Sequence, residues 1–329
     1  MPPHSDDEYA DDDFDEYKED GKSGDGVITE LDYARDIELG AEIGGGGVGV
    51  VYEGWYKDDP VALKTLFDTR ISEALKQEYL DELHVMASLS HPHIITFIGA
   101  CLKPPNLCMV MELCECSLFD TLHQRRTPLT DLRKAGMALE IAGAMQCVAR
   151  RAAALPRYAA HASSSPRYLH SRLPPVVHRD LKSHNVLVAS DGSTRVCDFG
   201  LVRTRNTTAG TPAYMAPELL SNGVFSGKVD VYAFGVLLWE IYHAEVPWRS
   251  HDAGDIMQAV GKGDRPEINE YDCAPAVVDL IRACWHADPA RRPTFRHVVD
   301  DLRDIEAKVP AVVHSDCVGG GDALDALLG

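Results

Sequence analysis

The period of the apolar residues changes once along this chain of 329 residues. Ahead of Leu113 apolar and polar side chains alternate in short runs; beyond it they recur at helical spacing. "IELGAEI" and "GVVYEGWY" flank a run of glycines, as the arms of a hairpin do. "PVALKTLF", "HIITFIGACL" and "LCMVMEL" read as further strands, the last two separated by the turn "KPPN". One helix interrupts this half: from Ser72, a plausible N-cap, Leu75, Tyr79, Leu83, Met86 and Leu89 follow a 3.6-residue period. The second half is helical over 130–145, 228–242, 252–260, 275–285 and 294–307. A strand-rich part followed by a helix-rich part predicts an α+β fold of two lobes, over 36–112 and 113–307, with a ligand cleft between them.

The ends read differently. Residues 1–26 carry eleven acids against Lys18 and Lys22, a charge of −9 out of −19 for the chain. So few apolar side chains cannot offset the entropy of ordering, and a disordered acidic tail is expected. Residues 308–329 are expected to form a flexible tail. The net acidity argues against nonspecific nucleic-acid binding. The longest apolar run, "VYAFGVLLW", is too short to span a bilayer and reads as a buried helix. No signal peptide is visible. The nine cysteines show no metal-site spacing: Cys114 and Cys116 form a lone CxC. Reduced thiols and a cytoplasmic, intracellular location are expected.

"IGGGGVGVV" contains GxGxxG as Gly44, Gly46 and Gly49, a weak signal alone. In a dinucleotide fold these glycines would open a helix. Here a strand-like run follows, which favours a strand–loop–strand flap over nucleotide phosphates. A permissive hairpin turn is the alternative. Downstream, "VALK" puts Lys64 at the end of an apolar strand. A partly buried lysine needs a carboxylate partner, and Glu82, Glu78 and Asp81 on the following helix compete for that role.

"HRDLKSHNVLV" (178–188), "CDFG" (197–200) and "APE" (216–218) then match, in order and spacing, the signature set of protein kinases. The chain resembles a eukaryotic protein kinase domain over about residues 36–307. The resemblance implies a bilobal fold and transfer of the ATP γ-phosphoryl group with Mg²⁺, or alternatively Mn²⁺, to protein substrates. In it Asp180 takes or orients the substrate hydroxyl proton, and Lys182 neutralises charge on the transferred group. Asn185 and Asp198 hold the cation. Lys64, held by Glu82, grips the phosphates. Ile43 and the three glycines roof the site, Val51, Ala62 and Leu187 enclose the adenine, Met111 lies behind it, and backbone groups of Glu112 and Cys114 bond its edge. His178, Phe199, Met86 and Phe97 form a column based on Asp230, and Arg292 pairs with Glu218. Arg179 would bind a phosphate on Thr207 or Thr208, with Thr204 a weaker candidate; a plain polar loop is the bland reading. "HRDLKSHN" and "GTPAYMAPE", with Thr211 placed to bond Asp180 and Lys182, have the serine/threonine form. "CWHADPARRPTF" and "GVLLWEI" resemble the tyrosine-kinase side. The mixture is similar to the tyrosine-kinase-like group of serine/threonine kinases.

Several features depart from the family pattern. Val48 stands at the tip of the glycine loop, the hinge "ELCECSLFDTL" is one residue short, and Asp198 to Glu218 leaves little room for an activation loop. Residues 146–166 interrupt a helix that otherwise reads "MALEIAGAM-RYLHSR". They are either a bulging loop or an intron read through in frame. The helix from Thr130 is expected to run past Met145, break before Pro156 and return at Arg167, docking Tyr168, Leu169 and His170. If the interruption disables the larger lobe, a nucleotide-binding scaffold is the alternative function.

Overall fold

The computed structural model describes residues 27–46, 49–66, 73–154, 177–199, 210–220, 225–271 and 273–309. The acidic segment 1–26, Val48, Ser72, Pro156 to Pro166, Tyr168 to His170, Thr204, Thr207, Thr208 and residues 310–329 lie outside them.

The two halves fold as two lobes. A short helix, α1 (Tyr33–Asp36), capped by the Asp32 carboxylate, leads into β1 (Ile37–Gly46). β2 (Gly49–Tyr56) returns antiparallel, pairing Gly46 with Gly49 and Gly44 with Val51. The glycine run thus enters one strand and is followed by another, and opens no helix. β3 (Asp59–Leu66), β4 (Phe97–Cys101) and β5 (Cys108–Glu112) complete an antiparallel sheet of order β1-β2-β3-β5-β4. α2 (Glu73–Ser88) packs on it through Tyr79, Leu83 and Met86. The lobe also takes in residues ahead of Asp36. Leu31 is buried in the small apolar cluster on the sheet's other face, and its N–H bonds the Ala100 carbonyl.

The larger lobe is built on α5 (Lys228–His243), buried along almost its whole length. α3 (Asp131–Ala154), α7 (Pro275–Cys284) and α8 (Phe295–Lys308) pack in the same core. α4 (Pro217–Leu220) precedes α5 and α6 (Ala253–Lys262) follows it, adding Leu219, Ile256 and Val260 to that core. Asp252 and Thr294 cap α6 and α8 with side-chain oxygens on the amides of Asp255 and His297, satisfying first-turn donors. A second sheet of β6 (Cys116–Ser117), β7 (Val186–Val188) and β8 (Thr194–Val196) sits where the chain crosses between lobes.

α3 runs past Met145 as expected: the first nine residues of the segment 146–166 continue it. Val148 is 1% exposed and extends the buried stripe of Ala138, Ile141 and Met145 at three- and four-residue spacing. One apolar residue at the correct phase suffices to carry that helix a further turn onto the core.

Candidate active site

Two clusters of charged groups face each other between the lobes. In the first, β3 carries Lys64 with its side chain opposite the face that packs on Leu31. Its Nζ donates to Glu82 Oε1 (3.1 Å) on α2 and to Asp198 Oδ1 (3.0 Å). Of the three acids weighed for this role, Glu82 makes the bond; the side chains of Glu78 and Asp81 lie outside the described residues. Burial works to lower the Lys64 pKa, but the Glu82 and Asp198 carboxylates more than offset it, and the net shift is upward. Lys64 is therefore a permanent cation.

The second cluster is a cradle around Asp180. Its Oδ2 accepts from Lys182 Nζ (2.8 Å) and Asn185 Nδ2 (3.0 Å); its Oδ1 accepts from the Thr211 N–H (3.2 Å) and hydroxyl (3.1 Å). Lys182 also donates to Thr211 Oγ1 (2.8 Å). The carboxylate is held from both sides, so its direction is fixed before any substrate arrives. The two clusters are joined through the backbone, because the Cys197 N–H bonds the Asn185 carbonyl (2.9 Å), one residue from Asp198.

Arg179 (φ 66°) and Asp198 (φ 64°) both occupy the left-handed region, which costs a non-glycine residue about 1–3 kcal/mol. The surrounding bonds hold them there. Asp230, at the base of α5, accepts from the His178 and Arg179 amides at 2.8 Å each. The His178 ring lies 4.8 Å from that of Phe199 and bonds the Cys197 carbonyl (3.0 Å). Met86 and Phe199 share one core with Phe97 packed against it. Burial raises the Asp230 pKa, while His178 and the two amides pull it down. Arg179 is buried with its guanidinium over the Phe225 ring, 4.7 Å from the centroid. The larger lobe is tied by Arg292, whose two terminal nitrogens reach the Glu218 carboxylate at 2.7 and 2.9 Å and whose Nε bonds the His286 carbonyl.

The remaining expected positions lie on β1, β2, β3, β5 and β7 and on the crossing segment. Ile43 is half-exposed on β1, Val51 is the register partner of Lys64, and Ala62 that of Met111. Met111, Cys114, Leu187 and Cys197 are partly buried and pack against the main core. Burial, with help from Glu112, pushes the Cys114 thiol up to about 12, so it is a neutral thiol at physiological pH.

The structure adds side-chain roles that the sequence does not assign. Glu240 is fully buried in the apolar helix α5 and accepts from His123 Nε2 (2.8 Å), Ser183 Oγ (2.7 Å) and Tyr214 Oη (2.7 Å), a knot directly under the Ser183–Asn185 turn. A carboxylate inside an apolar run was the available signal, since burying one unpaired is prohibitive. Glu112 accepts from the Thr96 amide (2.6 Å) and pairs with Arg195 of β8 (3.4 Å), clasping the crossing segment to both lobes. Gly210, the first residue of "GTPAYMAPE", has φ 126° and lies against Asp180.

Comparison with known proteins agrees with this geometry. The family model for the protein kinase domain matches residues 37–302. The chain is 37% identical over 293 residues to the serine/threonine-protein kinase CTR1 of Arabidopsis thaliana, covering 85% of this chain and 33% of that protein. It is 36% identical over 284 residues to the Arabidopsis thaliana protein named Probable serine/threonine-protein kinase SIS8, covering 84% of this chain and 25% of that protein. The chain thus spans about a third or less of the length of these two curated relatives.

Proposed function

The chain belongs to the protein kinase family, and from that premise we propose that it is an ATP-dependent protein serine/threonine kinase of the tyrosine-kinase-like group. The observation that carries this reading is the cradle of Asp180, Lys182, Asn185 and Thr211. Phosphoryl transfer asks for alignment and charge neutralisation more than for covalent chemistry. When bound, ATP supplies the phosphoryl group and a divalent cation offsets its charge. The donors present fit such an ion: the Asp198 carboxylate and the Asn185 amide oxygen are hard ligands. Mg²⁺ is bound through one or two carboxylates together with substrate phosphates, and Mn²⁺ takes the same donors.

Asp180 receives the proton of the substrate hydroxyl and orients that hydroxyl. Lys182, shared between Asp180 and Thr211, supplies positive charge beside it. Lys64, held upright by Glu82, binds phosphate oxygens. The backbone of Gly44, Gly46 and Gly49 approaches the phosphates closely, and Ile43, Val51, Ala62, Met111 and Leu187 shelter the base from water. Backbone groups of Glu112 and Cys114 bond its edge. Thr211 beside Asp180 fits a serine or threonine substrate. Arg179, with a phosphate on Thr207 or Thr208, is the regulatory contact. No described helix is long and apolar enough to cross a membrane. The scaffold alternative rests on the interruption 146–166 and not on a missing group; that Lys64, Glu82, Asp180, Lys182, Asn185 and Asp198 are all present and bonded supports catalysis instead.

The test is transfer of labelled phosphate from ATP to casein, followed by phosphoamino-acid analysis. The wild-type chain labels serine or threonine. Asp180→Asn loses roughly 10²–10⁴-fold in rate, the usual contribution of general acid–base catalysis, while nucleotide binding is kept. Equal labelling by the two proteins would overturn the reading.

A further inference from the structure

The outer face of the small-lobe sheet carries a feature that phosphoryl transfer does not use. Cys101, the last residue of β4, and Cys108, the first of β5, are cross-strand partners. No other two described cysteines are paired across strands. As register partners they project their side chains from the same face of the sheet. Both are buried, in the cluster formed with Leu31, Val61, Leu63 and Val110, on the sheet face opposite Lys64.

The type of rung follows from the neighbouring residue. The Ala100 N–H bonds the Thr29 carbonyl and its carbonyl accepts from Leu31, both at 2.9 Å, so both groups point away from β5. Backbone direction alternates along a strand, so Cys101 turns its N–H and C=O toward β5. The Cys101–Cys108 rung is therefore of the hydrogen-bonded kind, with Cα atoms about 5.5 Å apart. That lies inside the window of about 4.4–6.8 Å over which two cysteines can be bridged.

We propose that Cys101 and Cys108 are a reversible oxidation site, closing to an intrachain disulfide under hydrogen peroxide. The sulfur of Cys101 attacks one peroxide oxygen and the O–O bond breaks. One water leaves with the thiol proton, and Cys101 becomes a sulfenic acid. The Cys108 sulfur then attacks that sulfur, and the departing hydroxide takes the Cys108 proton as a second water. The two sulfurs lose two electrons in all, and the peroxide oxygens gain them. Cys101 leads because the neighbouring Cys108 thiol lowers its pKa, while Cys101 and burial raise that of Cys108.

Access and reversibility have physical reasons. The rung is the last before the turn, where Lys103, Pro104, Pro105 and Asn106 are exposed, and a terminal rung opens more readily than the sheet interior. Side chains stand farther apart at a hydrogen-bonded rung than at its alternate. Closing the bond draws the Cβ atoms inward, and a disulfide held off its preferred geometry is more easily reduced. The site does not depend on the phosphotransfer reading.

The full chain is treated with hydrogen peroxide, digested without reductant and mapped by mass spectrometry, with a parallel sample reduced by dithiothreitol. The expected product is one species linking Cys101 to Cys108, two hydrogens lighter than the separate peptides and absent after reduction. Oxidation should raise the Tm by a few degrees, and dithiothreitol should reverse the rise. Cys101→Ser and Cys108→Ser should each lose both effects; the wild-type map alone is decisive if a variant fails to fold. Recovery of the two as separate thiols or as sulfinic acids, or linkage of either to another cysteine, overturns the proposal.

Discussion

Replacing Gly210 by alanine tests whether the Asp180 cradle governs turnover. Gly210 has φ 126°, a conformation that costs an L residue about 1–3 kcal/mol. A Cβ there would sit 3.0 Å from the Met215 methyl, 3.2 Å from the Arg179 carbonyl and 3.8 Å from Asp180 Oδ1. The methionine end can swing aside. The Arg179 carbonyl cannot, because the Arg179 amide is fixed on Asp230 at 2.8 Å. Relief must come from the 210–211 backbone, which carries both Thr211 bonds to Asp180. Crowding adds roughly 1 kcal/mol, for a loss of about 2–4 kcal/mol in stability. At about 2–4 °C per kcal/mol for a domain of this size, Tm falls by roughly 5–15 °C. Losing one hydrogen bond to a charged group, worth about 1.5–3 kcal/mol, lowers kcat by roughly 10–100-fold. KM for ATP should hold, since the Lys64–Glu82 pair is untouched. Gly192→Ala is the control: φ is 81°, yet nothing lies within 4 Å of its Cβ. It should lower Tm and leave kcat alone. Steady-state kinetics and thermal melts of the two variants decide. A Gly210→Ala protein with wild-type kcat would refute the coupling of this backbone to Asp180.

Three further outcomes follow from the same structure. Arg292→Met removes both terminal bonds to Glu218 and strips three carbonyls of their donor; breaking a buried pair costs about 3–5 kcal/mol, so urea midpoints should drop sharply, and an unchanged midpoint rejects the lock. Burial, with His93 beside it, lowers the His91 pKa from 6.5 to about 4. The unfolded chain then takes the proton first as pH falls, so this contribution is complete above about 6.5 and is lost toward 4; stability measured across that window should decline less in His91→Gln, and parallel curves contradict the assignment. Val148→Ala removes two buried methyl-sized groups for roughly 1–3 kcal/mol; no change in melting would mean that residues 146–154 do not belong to the core helix.

The sequence by itself determined the two lobes, because a two-residue period and a 3.6-residue period cannot bury the same face and the switch near Leu113 separates them. It also determined the chemical set, because His178 to Asn185, Asp198 and Glu218 fall in fixed linear motifs whose short internal spacing leaves little freedom. The run of α3 past Met145 was legible as well, whereas the burial of Val148 was not, since the phase of a single apolar residue in an alanine- and arginine-rich stretch matters only against an existing core. The choice of Glu82 over its neighbours on the same helix belonged to the packing angle of α2 on the sheet. Gly210, the Glu240 knot, the Glu112–Arg195 clasp and the facing of Cys101 with Cys108 were likewise decided by tertiary structure. Gly210 touches Met215, Arg179 and Asp180; the other three groupings join residues up to 117 positions apart for Glu240 with His123. Local propensity is blind to such contacts. They exist only once two elements exclude water between them, and that exclusion makes each buried polar group find its partner.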